Sequence, residues 1–304
     1  MSPPFSGMRR LPGGRFQMGS DRHYPEERPA RGVVVDPFWI DETPVTNAQF
    51  SRFVAATGYV SFAEIPPNPA DYPGMIADLA AAGSLVFTPT AGPVNLADPL
   101  AWWRYEIGAC WRRPLGPGSD LSGLEDHPVV HVAYVDAVAY ARWVGKALPT
   151  EAEWEFAARG GLDGAAYAWG DELEPGGAVL ANYWRGVFPR RPPPNTLWGR
   201  TSPVGTFPAN GFGLLDMIGN VWEWTQDAWS EGVGRDFGPV CCSARNAMRD
   251  HDASGDPTAR KVLKGGSHLC AESYCQRYRP AARHPQPIDT TTSHVGFRCV
   301  AHDD

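Results

Sequence analysis

The stretch 148–161, LPTEAEWEFAARGG, encodes one complete short helix with both of its ends. Thr150-Glu-Ala-Glu153 is a capping box, in which hydroxyl and carboxylate satisfy each other's backbone donors. Pro149 fixes the entry. Trp154, Ala157 and Ala158 fall on one face, and Gly160-Gly161 stop the helix. Two further segments have the same scale. Thr46-Asn-Ala-Gln49 is a second capping box, followed by Phe50, Phe53 and Val54 and closed by Gly58. Asp136 precedes a run with Val138, Tyr140, Ala141 and Val144 that ends at Gly145. Strands are expected at Val33–Ile40, Pro128–Val132, Arg260–Lys264 and Gly296–Val300, where β-branched or alternating apolar residues gather. Segments 61–100 and 227–258, rich in proline, glycine and aspartate, read as surface excursions. A few short helices segregated from a small, mainly antiparallel sheet define an α+β fold.

Composition agrees. Gly 33 and Pro 30 make up about a fifth of 304 residues, against roughly 12% in average proteins. That excess excludes a helical bundle or coiled coil. It stays below the disordered range, and 43% hydrophobic residues with Trp 12 require a packed core. The RRPPPN stretch at 190–195 is too short to divide the chain, so one domain over 1–304 is expected.

A net charge of −7 leaves no basic footprint for nucleic acid. No run approaches a membrane span. The N-terminal MSPPFSGMRR shows no apolar stretch after its charges, so a cytoplasmic protein is expected, with its six cysteines mostly thiols.

Cysteine placement is the sharpest chemical signal. Cys270 and Cys275 stand in GGSHLCAESYCQRYRPAAR, five residues apart. On a helix five residues turn about 500°, leaving the thiols about 140° apart. On a strand an odd separation puts them on opposite faces. They converge only across a turn, which the preceding Gly265-Gly266 permits. A converging pair would suit Cu(I) or a redox disulfide; two unrelated buried thiols is the other reading of the spacing. Cys110 and Cys299 read as buried thiols, and Cys241-Cys242 as an adjacent pair in a polar loop. His127 and His131 flank an extended Pro-Val-Val segment and share no helix face. HExxH, GxSxG and a Walker loop are all absent from the sequence. Asp216 and Glu223 bracket carbonyls around Gly219 in a mixed oxygen set of the calcium type, although composition alone favours an acidic turn before a buried Trp-Glu-Trp.

The blocks LPGGRFQMGS, PVTNAQFSRFV, HPVVHV, LPTEAEWEFAARGG, NGFGLLDMIGNVWEW, GGSHLCAESYCQRYRPAAR and GFRC occur in this order. Together they resemble the sulfatase-modifying-factor family of formylglycine-generating enzymes, most closely its actinobacterial and mycobacterial members. The resemblance implies a C-type-lectin-like variant fold with long ordered loops. It implies an oxidase that uses O2 and one Cu(I) to convert the cysteine of a Cys-x-Pro-x-Arg motif in an unfolded type I sulfatase to Cα-formylglycine. A thiol reductant would be a further partner. Cys270 and Cys275 match the copper-binding cysteines and Ser267 the active-site serine. Trp102, Trp103, Arg283 and His294 fall where the family shapes its peptide groove. Asp216, Gly219, Val221 and Glu223 match a calcium site, which reverses the compositional reading. Asn182 with the carbonyls of Tyr183 and Trp198 match a second one, although Thr196 replaces its acidic ligand.

Several positions depart from the family. Two disulfides of animal members fall on Ala141 with Cys299 and on Ala158 with Pro280, so neither can form. His294 stands where relatives often carry asparagine, and the 61–100 segment diverges. Two other readings compete: a non-catalytic lectin-like binding protein of the same superfamily, which needs neither thiol, and an iron-dependent sulfoxide synthase, whose separate histidine-bearing domain this chain lacks.

Overall fold

The computed structural model describes residues 6–72, 74, 79–190, 199–230 and 259–303. Regular structure is short throughout. In chain order it comprises β1 (Met8–Leu11), β2 (Gly14–Met18), β3 (Arg31–Val35), β4 (Phe38–Asp41), α1 (Asn47–Thr57), β5 (Gly83–Phe87) and β6 (Trp103–Ile107). The chain continues with α2 (Tyr134–Trp143), α3 (Glu151–Arg159), β7 (Trp222–Ala228), β8 (Arg260–Lys264), β9 (Arg283–Pro287), β10 (Val295–Gly296) and β11 (Val300–Ala301). The described strands form small sheets of order β1-β4-β11 and β10-β7-β8-β9 and two hairpins, β2-β3 and β5-β6. β4 is flanked by strands from both ends of the chain, so the termini are tied to one sheet.

Two of the expected helices have the expected caps. Thr46 accepts from the Gln49 N–H, and Thr150 from the Glu153 N–H. Both helices end on left-handed glycines, Gly58 at φ 69° and Gly160 at φ 58°. The middle helix starts earlier than expected. Ala133 is its N-cap, and Asp136, inside the first turn, reaches back to the Ala133 N–H.

Three of the four expected strands are corrected. Val33–Ile40 breaks at Asp36-Pro37 into β3 and β4, because Pro37 has no N–H for a ladder. Pro128–Val132 makes only an isolated bridge from Pro128 to Thr46. Its apolar residues are buried because the segment threads the core: Val129, Val130 and Val132 are all inside. Gly296–Val300 divides between two sheets, β10 running parallel to β7 and β11 antiparallel to β4. Arg260–Lys264 is β8 as expected. The 61–100 segment is more than a surface excursion, since β5 is buried along its whole length against β6. Of 227–258, only 227–230 fall among the described residues.

One aromatic core joins these pieces. Phe50 packs with Phe53, Trp111, Tyr140 and Phe297, which brings α1, α2 and the C-terminal segment together. A second set, Phe87, Trp102, Trp103, Trp184, Phe188 and Tyr274, lies under the cysteine segment.

Candidate active site

The cysteines stand on a loop closed at its neck. β8 ends at Lys264, and Gly265 and Gly266 follow at φ 93° and 70°. A Cβ on Gly265 would sit 2.9 Å from the Trp154 ring. One on Gly266 would sit 2.5 Å from the Arg277 carbonyl oxygen and 2.7 Å from the Tyr278 nitrogen. Only glycine lets the two ends of the loop, 266 and 277–278, touch in this way.

Within the neck the chain makes one turn. Cys270 N–H donates to Ser267 O at 3.0 Å, and Ala271 O accepts from both Tyr274 N–H (3.1 Å) and Cys275 N–H (2.8 Å). The turn that convergence of the two thiols requires is thus present between them. Cys270 and Cys275 are 0% and 1% exposed. Ser267 is equally buried; its Oγ accepts from Leu269 N–H, so its hydroxyl hydrogen is available to donate.

Four groups sew this loop to the fold. Asn220 O accepts from His268 N–H at 2.9 Å and lies 2.7 Å from His268 Nδ1. Burial pushes the His268 imidazole down to about 4, so the ring is neutral at physiological pH. Cys270 O accepts from Trp184 N–H. Beyond Cys275, the Arg277 guanidinium bonds Glu26 and the Arg279 fork grips both oxygens of Glu27 at 2.8 and 2.5 Å. These pairs are almost fully buried. Sequence reasoning missed Glu26 and Glu27, which lie some 250 positions from their partners and carry no local motif.

The expected groove residues divide. Trp102 stacks edge-on against Tyr274, next to Cys275, with centroids 5.5 Å apart. Trp103 packs on His294 at 4.8 Å, and His294 Nδ1 lies 2.7 Å from Thr292 Oγ1. All three rings are buried, and Trp102 meets the cysteine loop at Tyr274. A cleft of about 180 Å³ is lined by Phe87, Leu115, Val130, His268 and Ser293, and Phe87 packs edge-on against Trp103. Arg283 stands apart: its guanidinium is held bidentate by Glu151 at 2.8 and 2.9 Å and lies over Trp229.

The oxygen-rich loop lies beside the cysteine loop. Gly219 N–H donates to Gly265 O, and Asn220 N–H to Asn182 O, so both expected cation sites share one backbone seam. Asp216 and Asn220 adopt left-handed φ of 53° and 55°. Asp216 Oδ2 accepts from Gly205 N–H, and burial pushes its carboxyl up to about 6. Glu223 is more committed than the sequence suggested. Arg298 takes both of its oxygens, and Trp154 Nε1 adds a third bond. Asn182 Oδ1 is a buried acceptor without a donor among the described residues, while its Nδ2 donates to Arg200 O. Trp198, Thr196, Cys241 and Cys242 lie outside the described residues.

Other expected inert groups are accounted for. His131 sits between Ser84 Oγ and Pro114 O, and burial lowers it to about 4. His127 faces Thr201 Oγ1. Cys110 and Cys299 are buried thiols, and burial beside Asp41 holds Cys299 protonated. Among the described residues no three His, Cys, Asp or Glu side chains converge as a metal site. No helix among them is long and apolar enough to cross a membrane.

Short helices, several small sheets and long ordered loops around a buried thiol pair define a mixed, C-type-lectin-like protein with a loop-borne site. The chain belongs to the family described as sulfatase-modifying factor enzyme 1-like, whose profile matches residues 2–303. It is 57% identical over 291 residues to the formylglycine-generating enzyme of Mycobacterium tuberculosis, covering 96% of each chain. It is 37% identical to the inactive C-alpha-formylglycine-generating enzyme 2 of Mus musculus, over 96% of this chain and 84% of that one. Among solved structures it resembles PvdO from Pseudomonas aeruginosa with a TM-score of 0.58, at 23% identity, over 97% of this chain and 94% of that one.

Proposed function

We propose that the protein converts a cysteine in a Cys-x-Pro-x-Arg segment of an unfolded type I sulfatase to Cα-formylglycine. The oxidant is O2, and Cu(I) and a thiol reductant assist. The single observation that carries this reading is the buried Cys270–Cys275 pair on a loop pinched shut at Gly266. Family membership alone does not, since the family includes a member named inactive. The balanced reaction takes R–CH2–SH, O2 and two thiols to R–CHO, H2S, a disulfide and water.

The residues present fit a soft ion. Two thiolates on one turn are the donor type that Cu(I) prefers, and a two-sulfur site leaves room for a third sulfur from the substrate. Copper held there supplies the one-electron chemistry that couples O2 to removal of a Cβ hydrogen. The remaining tasks belong to the chain. The substrate enters through the cleft of Phe87, Val130 and Ser293, which His268 of the cysteine loop also lines. Ser267, fully buried, offers its hydroxyl hydrogen to an oxygen in the pocket. Burial among aromatic rings excludes water until the substrate sulfur has been oxidised; hydrolysis of the resulting thioaldehyde releases sulfide. Neutral His268 adds no charge beside the thiolates.

Calcium fits the neighbouring seam as a structural ion. At the first site Asp216 has an oxygen outside its bond to Gly205, and the Gly219 and Val221 carbonyls complete an oxygen set of the hard-cation type. Glu223 contributes only through the lone pair that Arg298 and Trp154 leave it. At the second, Asn182 Oδ1 is a buried acceptor with no donor among the described residues. Tyr183 contributes its carbonyl to the second site.

The test is conversion of a Cys-x-Pro-x-Arg peptide in air by protein loaded with Cu(I), read as mass loss and aldehyde trapping. Cys270→Ser and Cys275→Ser are each expected to abolish conversion and tight Cu(I) binding. An unconverted peptide after verified copper loading would refute the oxidase reading and favour a lectin-like binding protein.

A further inference from the structure

We propose that a stack of tyrosines beside the cysteine loop is an electron path joining a surface cleft to Cys270. This rests on the oxidase reading and says how its external electrons enter.

The stack begins at the loop neck. Tyr278 follows the backbone on which Gly266 rests, so its ring is fixed to the base of the loop that carries both thiols. Its ring stacks on Tyr183, and the next residue, Trp184, donates its N–H to Cys270 O and bridges Ala271, so the tyrosine pair lies alongside the part of the loop that carries Cys270. On one side Tyr278 stacks on Tyr183, with centroids 4.7 Å apart and planes at 28°. On the other it stacks on Tyr167 at 6.3 Å and 16°, and Tyr167 in turn on Trp169 at 5.7 Å and 12°. Both arms end at one surface feature. The Tyr183 hydroxyl donates to the Glu174 carboxylate, and Trp169 Nε1 donates to Glu172 O. Glu172, Glu174 and Tyr183 line a cleft of about 550 Å³, together with Arg185 and with Glu272 and Ser273 from the turn between the cysteines.

Packing does not explain the hydroxyl of Tyr278. The residue is 0% exposed, and its oxygen has no hydrogen-bond partner among the described residues. A buried phenol in that state destabilises the fold relative to phenylalanine, which would fill the same space. Phenylalanine differs in one respect that matters here: its ring cannot be oxidised at accessible potentials. Tyr183 carries what Tyr278 lacks, a carboxylate on its hydroxyl that can take the phenolic proton.

The electron count gives such a path a task. Conversion of the substrate cysteine to aldehyde and sulfide yields two of the four electrons that reduce O2 to water. Two external thiols supply the others, from outside a site whose thiols are buried. In each transfer an electron leaves Tyr183 through Tyr278 for the oxidised cysteine site, and the Tyr183 proton moves to Glu174. A thiol in the cleft then gives one electron to the Tyr183 radical, Glu174 returns the proton, and the thiol's own proton goes to water. Two thiyl radicals so formed join as the disulfide. Tyr278 carries the oxidised state only in passing, and Tyr183 is where it rests.

The experiment compares copper-loaded wild type, Tyr278→Phe and Tyr134→Phe, all with a Cys-x-Pro-x-Arg peptide, O2 and dithiothreitol. Tyr134 packs on Trp224, away from the stack, and serves as the control. Steady-state rate is measured against dithiothreitol concentration. Freeze-quench EPR and peptide mass spectrometry locate radicals and oxidised residues. Tyr278→Phe is expected to melt no lower than wild type and to keep its Cu(I) affinity while losing an order of magnitude in thiol-dependent rate. Its tyrosyl radical signal should vanish, and oxidation should move from Tyr183 and Tyr167 onto the cysteine loop. A converting enzyme in which Tyr278→Phe matches wild type in rate and radical signal overturns the path. A wild type that converts no peptide overturns the oxidase reading and removes the acceptor that the path needs.

Discussion

Glu27→Ala tests whether the cysteine loop is held from outside, by charge. In the structure Glu27 and Arg279 are 0% and 1% exposed and joined by two parallel bonds. Arg279 Nε also donates to the carbonyl of Gln276, directly after Cys275. Removing one partner strands a guanidinium in the interior, at a cost of about 3–5 kcal/mol. With an unfolding entropy near 2.1 cal/mol/K per residue, a chain of this length loses about 0.6 kcal/mol per degree at its midpoint. The expected fall in Tm is therefore about 5–8 °C. Cu(I) affinity should fall with it, because the released arginine no longer fixes Gln276. The double variant Glu27→Met with Arg279→Met removes both charges and should recover most of the Tm, as paired replacement by apolar groups often does. Differential scanning fluorimetry and a competitive Cu(I) chelator titration read the two quantities. A drop below about 2 °C for the single variant, or no recovery in the double, would mean that the pair is solvated and does not clamp the loop.

Three further outcomes follow from local geometry. Gly266→Ala and Gly58→Ala share nearly the same φ, 70° and 69°, but a Cβ meets backbone at 2.5 Å in the first and nothing within 4 Å in the second. Gly58→Ala should cost about 1–2 kcal/mol in a thermal melt, and Gly266→Ala clearly more, with loss of Cu(I) binding only in the latter. Asp136 is raised by burial to about 6, despite bonds from Ala133, Phe62 and Tyr59. A raised carboxyl keeps its full contribution below the unfolded value and loses it as pH climbs through the folded one. Wild type should thus lose about 2 kcal/mol more than Asp136→Asn between pH 4 and 7 in urea titrations; parallel profiles would contradict the burial. Calcium should raise the Tm of wild type over that in chelator, and Asp216→Asn should shrink the difference; an unchanged difference would exclude Asp216 as a ligand.

Legibility in the sequence followed the range of each interaction. Thr46, Thr150 and their glycine stops are local, so α1 and α3 could be read directly from their caps. Asp136 was read one turn out of place because an aspartate at the first turn and one at the cap leave the same trace. Val33–Ile40 looked continuous because hydrophobicity does not record which sheet a strand joins; Pro37 was the only mark of the break. β5 and β6 stayed hidden because Gly83–Phe87 owes its strand state to pairing with 103–107 and not to its own pattern. At the site, the Cys-x4-Cys spacing required a turn, and the turn is there. The bonds that hold it in place, from Glu27 to Arg279 and from Asn220 to His268, join residues that no short pattern connects.

That division explains why the site lies on a loop at all. A helix would spread the two thiols around its axis and a strand would face them apart, so only irregular backbone can present both to one ion. Irregular backbone in a core must find partners for its polar groups, and would otherwise wander. Here Gly266 closes the neck by contact, Asn220 and Trp184 take up the loop's backbone groups, and the two arginines after Cys275 anchor its exit on Glu26 and Glu27. The glycine excess and the buried ion pairs are therefore parts of one solution. Glycines let the loop fold back upon itself, and the buried charges hold its exit against the rest of the fold.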